Sequence, residues 1–232
     1  MRLDKFIAEN TGLTRSQATK AIRQSAVKIN GEIVKSGSVQ ISQEDEIYFE
    51  DELLRWVEEG QYFMLNKPQG CVCSNDDGDY PTIYQFFDYP LAGKLHSAGR
   101  LDVDTTGLVL LTDDGQWSHR ITSPKHHCEK TYLVTLADPV EENYATACAE
   151  GILLRGEKEP SKPAKLEILD DYNVNLTISE GRYHQVKRMF AALGNKVVGL
   201  HRWKIGDVVL DESLEEGEYR PLTQSEIEKL VK

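Results

Sequence analysis

Two aspartates, Asp102 and Asp104, are separated by one residue in a segment rich in glycine and threonine. Residues 99–108 read Gly-Arg-Leu-Asp-Val-Asp-Thr-Thr-Gly-Leu and lead into an apolar run. Three kinds of chemistry fit these side chains. Asp104 can cap the turn that Thr-Thr-Gly predicts, the pair can bind a divalent cation, or Asp102 can serve as an ionised catalytic carboxylate. A single carboxylate in a loop is more often structural than catalytic, so the residues alone leave the three roles open.

Four cysteines and the adjacent pair His126-His127 form a second group of reactive side chains. Cys71 and Cys73 are separated by one residue, whereas paired cysteines in zinc modules are usually separated by about two to four. The chain shows no export signal that would favour disulfides. We therefore expect reduced structural thiols and no metal site. Both histidines are expected to be structural or to face RNA.

Charge is distributed unevenly along this chain, whose formal net charge is −11. Residues 1–42 hold seven basic and three acidic side chains, and residues 181–204 hold six basic and none that are acidic. The acidic residues collect in 44–59 and 207–228. A charge cluster is often only a solvated face. Two separate basic patches nevertheless favour a protein that contacts a polyanion in defined places.

The first 34 residues predict two helices followed by a hairpin. Leu3, Phe6 and Ile7 have the spacing of one helix face. Residues 14–17, Thr-Arg-Ser-Gln, have the pattern of a capping box at the start of a second helix. Residues 27–34 predict two strands joined at Asn-Gly, a dipeptide that favours a two-residue turn. Basic residues of the second helix and the hairpin would then share one surface.

The rest of the chain alternates strand and helix patterns without the regular order of a parallel βαβ protein. The patterns predict strands at 62–65, 108–112, 132–136 and 173–178, and a helix at 184–193. The acidic run 50–60 ends in Gly60 and is interpreted as a linker. We predict an α+β protein with two domains, residues 1–58 and 59–232. The second domain is expected to hold a mixed, mainly antiparallel sheet flanked by helices.

Several segments resemble a known family of RNA enzymes. The N-terminal helices and hairpin resemble the S4 domain, a small RNA-binding module, over most of the first 55 residues. Residues 99–108 resemble the catalytic motif of the RsuA-type pseudouridine synthases, the small-subunit rRNA branch of that superfamily. Other motifs of the family are matched, in the same order and spacing, by residues 62–70, 129–134, 180–190 and 218–222. The resemblance extends over essentially the whole chain.

The resemblance implies an enzyme that breaks the N1–C1′ bond of uridine, turns the uracil and rejoins it through C5. No atoms are gained or lost, so no cofactor is expected. Asp102 matches the catalytic carboxylate, which acts as a nucleophile or as a base on the ribose. Lys187 matches the cation that keeps this carboxylate ionised, at a position where the wider superfamily more often has arginine. Tyr132 matches a ring that stacks on the uracil or takes the C5 proton.

Six basic residues are candidates for contact with RNA. The resemblance assigns Arg100 to evicting the target base from its stack. Lys67 is expected to meet a phosphate or to support the active-site loop. Arg188 is an alternative partner of Asp102 and a candidate phosphate contact. The complete set of predicted RNA contacts is Arg15, Lys20, Arg23, Lys67, Arg100 and Arg188.

The predicted function is isomerisation of one uridine in 16S rRNA, either free or within a partly assembled small ribosomal subunit. The same family contains 23S rRNA enzymes, and a non-catalytic rRNA-binding assembly factor would carry the same basic patches. A metal-dependent enzyme using Asp102 and Asp104 would be sensitive to EDTA. We expect a monomer in the cytoplasm, because nothing forces a dimer, the N-terminus does not resemble a signal peptide and no apolar run approaches the roughly 18 residues of a membrane helix.

Overall fold

The computed structural model describes residues 1–56, 60–74, 78–88, 90–123 and 125–231. Backbone contacts divide the chain into two compact units. The first comprises Met1–Gln61 and Tyr84–His96, and the second comprises Tyr62–Ile83 and Ser97–Lys232. The predicted domain boundary between residues 58 and 59 lies outside the described residues and stays a prediction.

The elements of the described residues are numbered in chain order. The helices are α1 (Leu3–Thr11), α2 (Arg15–Arg23), α3 (Leu91–Lys94), α4 (Gly115–Thr122), α5 (Tyr144–Glu150), α6 (Gln185–Ala192) and α7 (Gln224–Lys229), with a 3-10 turn at Ile83–Phe86. The strands are β1 (Val27–Ile29), β2 (Glu32–Ile33), β3 (Ile47–Phe49), β4 (Glu52–Leu53), β5 (Tyr62–Lys67), β6 (His96–Ser97), β7 (Thr106–Thr112), β8 (Lys130–Leu136), β9 (Lys165–Ile168), β10 (Asn173–Ile178), β11 (Val197–Ile205), β12 (Val208–Val209) and β13 (Tyr219–Pro221). None of the described helices has the length and apolar character needed to cross a membrane.

The first unit packs α1 and α2 against an antiparallel sheet of order β2-β1-β3-β4. Helix α2 begins at the predicted capping box, in which the backbone amides and side chains of Thr14 and Gln17 bond reciprocally. The β1–β2 hairpin turns at Asn30 and Gly31, whose φ angles are 51° and 84°. Positive φ at both positions is what this two-residue turn requires. The predictions for α1, the capping box and the hairpin are confirmed.

Residues 50–56 of the acidic run after β3 are folded, so the interpretation of this part as a linker is wrong; residues 57–59 lie outside the described residues. Glu52–Leu53 forms strand β4 and pairs with β3. The turn that joins these strands has positive φ at Glu50 (49°) and Asp51 (70°), without a glycine to announce it. The ring of Trp56 lies 4.4 Å from that of Phe6 and extends the apolar core. The first unit therefore continues at least to Trp56.

A segment from the middle of the sequence completes the first unit. Helix α3 belongs to the segment Tyr84–His96 and packs against α1. A Cβ added to Gly93 would lie 2.5 Å from the carbonyl oxygen of Glu9 in α1. Only a residue without a side chain permits backbones to come this close. This segment lies within residues 59–232, which the sequence patterns assigned to the second domain.

The second unit is built on one mixed sheet, whose strands follow the order β13-β5-β7-β11-β8-β10-β9. Along this path every pair is antiparallel except β7 with β11, which run parallel. Strand β6 pairs with β7, and β12 pairs with β11. The predicted mixed, mainly antiparallel sheet is confirmed. The predicted strands appear within β5, β7, β8 and β10, and the predicted helix appears as α6.

The core beneath β7 fixes the part of the sheet that follows the two aspartates. Leu108 and Leu110 point to one face of β7, as alternate residues of a strand must, and pack against Trp117 and Ile121 of α4. Asp114 caps α4 by accepting hydrogen bonds from two backbone amides of its first turn. This packing holds β7 in place, so the loop that precedes the strand is fixed at its C-terminal end.

Candidate active site

Asp102 lies in a tight loop between β6 and β7. The amide of Thr105 donates to the carbonyl oxygen of Asp102 at 3.1 Å and closes a turn. Nζ of Lys67, at the end of β5, donates to the carbonyl oxygens of Asp102 and Thr105 at 3.1 and 2.8 Å. The amide of Gly70 donates to the carbonyl oxygen of Val103 at 2.8 Å. Two neighbouring segments therefore hold the backbone on which the catalytic candidate is mounted.

Lys67 is fully buried, with 0% of its surface exposed. Its third hydrogen bond goes to the carbonyl oxygen of Pro68 at 3.0 Å, so all three donor positions of the ammonium are used. Burial lowers the pKa of this ammonium, although the aspartates and cysteines around it act in the opposite direction. The prediction that Lys67 contacts RNA is wrong, because its charge is enclosed and satisfied by the protein. Its role is the alternative one, support of the active-site loop.

Lys187, in the first turn of α6, lies between the two aspartates. Its Nζ is 3.1 Å from Oδ2 of Asp102 and 2.5 Å from Oδ1 of Asp104. Burial acts to lower the pKa of Lys187, but the hydrogen bonds and charges of Asp104 and Asp102 outweigh it and raise that pKa. Lys187 is therefore protonated and places a positive charge beside Asp102.

Asp104 takes part in this cluster and does not cap the turn, which was one of the roles that the sequence left open. Burial acts to raise its pKa, but the hydrogen bond and charge of Lys187 outweigh burial and lower it. The turn is closed instead by the backbone of Asp102 and Thr105. Asp104 thus helps to hold the ammonium of Lys187 in place.

A histidine to which the sequence analysis gave no role contacts the same carboxylate. His184 Nε2 lies 3.5 Å from Oδ1 of Asp102. The residue precedes α6 with a left-handed backbone, φ 47°, and its ring stacks on that of Tyr183 with centroids 3.8 Å apart. Positive φ is uncommon for a residue with a side chain, and no sequence pattern announced it here.

These groups line a cavity of about 570 Å³ in the second unit. Buried Tyr132 contributes its ring from β8 and stands opposite Arg202 of β11. Leu200 lines the same cavity. The volume is in the range that holds a small ligand, about 300–1,000 Å³. The structure thus brings Asp102, Tyr132 and Lys187 to one cavity.

Arg202 is a cavity residue that the sequence analysis counted only as part of a basic stretch. It is 3% exposed, and its Nε donates to the carbonyl oxygen of Leu108 at 2.8 Å. Its Cζ lies 6.0 Å from the centroid of the Tyr132 ring. Its Nη2 is buried and has no hydrogen-bond partner among the described residues. One sequence pattern could have identified Arg202: alternate residues of a strand share a face, so Arg202 lies on the same side as Leu200.

Gly107 allows β7 to approach β11 beside this arginine. Its φ is 100°, in the left-handed region that favours glycine. A Cβ at this position would lie 2.3 Å from the carbonyl oxygen of Arg202. The glycine of the Asp-x-Asp-Thr-Thr-Gly segment is therefore required by the parallel pairing.

Two of the predicted RNA contacts in the second unit have different surroundings. Arg100 is exposed and lines the cavity, so its guanidinium is available to a ligand. Arg188 donates to the carboxylate of Glu157 at 3.0 Å and to the carbonyl oxygens of Tyr183 and Arg155 at 3.0 and 2.8 Å. These bonds give Arg188 partners within the protein, and its predicted phosphate contact stays a prediction.

In the first unit, Arg15, Lys20 and Arg23 all lie exposed on α2. Nη2 of Arg15 donates to Oδ1 of the buried Asp4 at 2.9 Å. Lys20 and Arg23 are three residues apart and therefore neighbours on the helix surface. All three side chains are thus exposed on α2, and their contact with RNA stays a prediction.

The cysteines and histidines do not converge. In the part of the chain that the structure describes, no group of three or more His, Cys, Asp or Glu side chains could hold a metal ion. All four cysteines are free thiols, and burial raises the pKa of the Cys148 thiol to about 11. His127 Nδ1 lies 3.3 Å from Nζ of Lys162, outside the cavity.

The fold and the cavity define an RNA-modifying enzyme of the class that the sequence resembles. Residues 61–192 match the family model described as RNA pseudouridylate synthase, and residues 1–47 match that of the S4 domain. The chain belongs to the RNA pseudouridylate synthase family. The resemblances drawn from the sequence, both for the S4 domain and for the synthase, are confirmed.

Similar proteins cover the full length of the chain. A protein of Haemophilus influenzae is 97% identical over 100% of both chains, and one of Escherichia coli K12 is 58% identical over 100% of both. A Pasteurella multocida protein is 79% identical over 98% of both. All three are named ribosomal small subunit pseudouridine synthase A. A solved structure described as a pseudouridylate synthase is 96% identical over 100% of both chains, with a TM-score of 0.74.

Proposed function

We propose that this chain converts one uridine of 16S rRNA into pseudouridine, with Asp102 as its catalytic carboxylate. The observation that carries the proposal is the 3.1 Å contact between Lys187 Nζ and Asp102 Oδ2 in the cavity that Tyr132 lines. Family membership supports the reaction. The names of the similar proteins, which specify the small ribosomal subunit, support the substrate.

Each residue of the cavity has a task in this reaction. The target uridine must leave its base stack, and Tyr132 offers a ring face on which the uracil can stack. Asp102 acts on the ribose as nucleophile or base while protonated Lys187 stabilises its negative charge. The product has the same atoms as the substrate, so the reaction requires no redox or group-carrying cofactor.

Basic side chains away from the reacting atoms would hold the RNA. Arg100 is exposed at the cavity and suits the displaced base or an adjacent phosphate. Arg15, Lys20 and Arg23 would bind rRNA through the S4 unit, which increases the effective concentration of the target at the cavity. We further propose that the S4 domain ends near residue 58, and that the chain acts as a monomer in the cytoplasm.

The test is a modification assay on unmodified 16S rRNA, both free and bound to small-subunit proteins, in the presence of EDTA. Pseudouridine is mapped by carbodiimide treatment and reverse transcription. The wild-type chain should produce one new site. Asp102→Asn should remove it, whereas Asp171→Asn, the same change at an exposed carboxylate outside the cavity, should leave it intact.

The other outcomes identify the alternatives. Modification of 23S rRNA without modification of 16S rRNA would reassign the substrate within the family. Binding of 16S rRNA without product on either RNA would favour the assembly factor. Activity that EDTA abolishes would point to metal-dependent chemistry at Asp102 and Asp104.

A further inference from the structure

The cavity contains two cations without a counter-charge. Arg202 and Lys130 both line it, and in the described part of the chain no carboxylate oxygen lies within 4.0 Å of either one. Lys130 donates to the carbonyl oxygens of Ile121 and Cys128 at 3.1 and 2.5 Å. Burial lowers the pKa of Lys130, and the nearby charge of Arg202 acts in the same direction.

This arrangement costs the unliganded protein stability. An arginine stays charged in proteins, and a buried charge without a paired anion destabilises the folded state. Nη2 of Arg202 also has no acceptor, and Oγ1 of Thr105, another cavity residue, has no partner among the described residues either. Buried polar groups without partners need an explanation in a folded protein, and both of these residues line the cavity in which a ligand would lie.

We infer that Arg202 contacts a carbonyl oxygen of the target uracil and stabilises the negative charge that this base acquires during the reaction. The inference rests on the proposed function, because it assigns a further residue to the same isomerisation. Lys130 contributes to the same positive field from the cavity wall.

The reaction supplies the anion. When the N1–C1′ bond breaks, both of its electrons leave with N1, whether Asp102 bonds to C1′ or removes a ribose proton. The detached uracil then carries one negative charge spread over N1 and its carbonyl oxygens. C5 uses this charge to form the C5–C1′ bond; in the same step the Asp102–C1′ bond breaks, or Asp102 returns the ribose proton. The C5 proton finally moves to N1. The uracil is neutral before and after, so a fixed cation stabilises the intermediate more than the substrate.

The position of Arg202 favours the uracil over a phosphate. Arg202 and Tyr132 are directly opposite each other on adjacent strands, so both side chains leave the same face of the sheet. The guanidinium carbon of Arg202 lies over the Tyr132 ring, 6.0 Å from its centroid, so a base that stacks on this ring comes close to the guanidinium. The phosphates lie on the outer side of a displaced nucleotide, where exposed Arg100 is available.

The first measurement is single-turnover kinetics of Arg202→Met and Arg202→Lys on the modified rRNA. Removing a fixed donor from a site of developing charge lowers kcat by about 10²- to 10³-fold. We expect a loss of this size for Arg202→Met with KM changed less than about threefold, and a smaller loss for Arg202→Lys, which retains the charge. Lys165→Met removes an exposed cation from β9, outside the cavity, and should leave kcat unchanged.

The second measurement replaces oxygen by sulfur in the substrate. Target RNAs carrying 2-thiouridine or 4-thiouridine present a weaker hydrogen-bond acceptor at one position. Sulfur at the position that Arg202 contacts should slow the wild-type enzyme about tenfold, which corresponds to a loss of roughly 1.4 kcal/mol in hydrogen-bond free energy. The same substitution should not slow Arg202→Met further, because this variant lacks the donor. Arg202→Lys provides the same comparison if the methionine variant does not fold.

The outcomes are distinct. An effect of Arg202→Met on KM alone, with a weaker salt dependence, would assign the arginine to a phosphate and overturn the inference. Equal thio effects in wild type and variant would also overturn it. A wild-type chain inactive on both rRNAs would instead remove the proposed function itself.

Discussion

Replacing the buried Lys67 by methionine separates a structural lysine from one that binds RNA. The substitution keeps a linear side chain of similar length and removes three hydrogen bonds to backbone carbonyls. Hydrogen bonds to a charged group contribute about 1.5–3 kcal/mol each, but the buried ammonium also carries a desolvation cost of several kcal/mol. In the variant, the carbonyl oxygen of Asp102 still accepts the amide of Thr105, which limits the loss. We therefore expect the free energy of unfolding to fall by about 3 kcal/mol.

A loss of this size is measurable in two ways. For a unit of this length, 1 kcal/mol shifts the melting temperature by about 2–4 °C, so Lys67→Met should melt roughly 6–12 °C lower. The loop that carries Asp102 loses its anchor, and kcat should fall at least about tenfold. RNA affinity and its salt dependence should stay unchanged, because Lys67 offers no charge to solvent.

Lys20→Met is the matched comparison. Lys20 is exposed on α2, so Lys20→Met should leave the melting temperature unchanged. If Lys20 contacts a phosphate, the slope of the logarithm of the RNA-binding constant against the logarithm of salt concentration should become smaller by about one. An unchanged melting temperature for Lys67→Met, together with a weaker salt dependence of RNA binding, would refute the structural role.

Three further changes test separate parts of the structure. Gly107→Ala should lower the free energy of unfolding by about 3 kcal/mol, since its Cβ would collide with the carbonyl oxygen of Arg202; an unchanged urea midpoint would contradict this. The hydrogen bond from Arg2 lowers the pKa of Asp4 to about 2, against the opposing effect of burial. The ionised carboxylate therefore stabilises the folded state fully above pH 3.8, and this contribution is lost as the pH falls toward 2. Over that pH range, the free energy of unfolding measured in urea should fall by about 1 kcal/mol more in wild type than in Asp4→Asn. This value is discounted for solvent screening, because both arginine partners are about half exposed. Lys187→Met should lower kcat about 10²-fold in single-turnover assays and Lys187→Arg much less, whereas equal losses would argue against a role for the charge.

The sequence predicted those elements whose signals are local. Asn30-Gly31 specifies its turn because both residues tolerate positive φ. The alternation of β10 is visible because Val174, Leu176 and Ile178 are buried and the residues between them are half-buried. Glu50 and Asp51 form a turn of the same kind with side chains that disfavour positive φ, and the strand after them was therefore missed.

The candidate site was predictable where the family motif supplied it and obscure where partners are distant in sequence. The acceptors of Lys67 include residues 35 and 38 positions away, and Glu157 lies 31 positions from Arg188. Asp104 meets Lys187 across 83 positions. No local pattern shows whether a basic side chain is enclosed by its own protein, so Lys67 and Arg188 were both assigned to RNA.

The contribution of Tyr84–His96 to the first unit sets an order of events during synthesis. The ribosome synthesises α1 and the β1–β4 sheet well before α3. The face of α1 against which Gly93 packs is therefore exposed to solvent until α3 has been synthesised. The first unit can reach its final packing only after residue 96 has left the exit tunnel. A fragment that stops near residue 58 lacks this last helix, so the RNA affinity measured for it belongs to an incomplete unit.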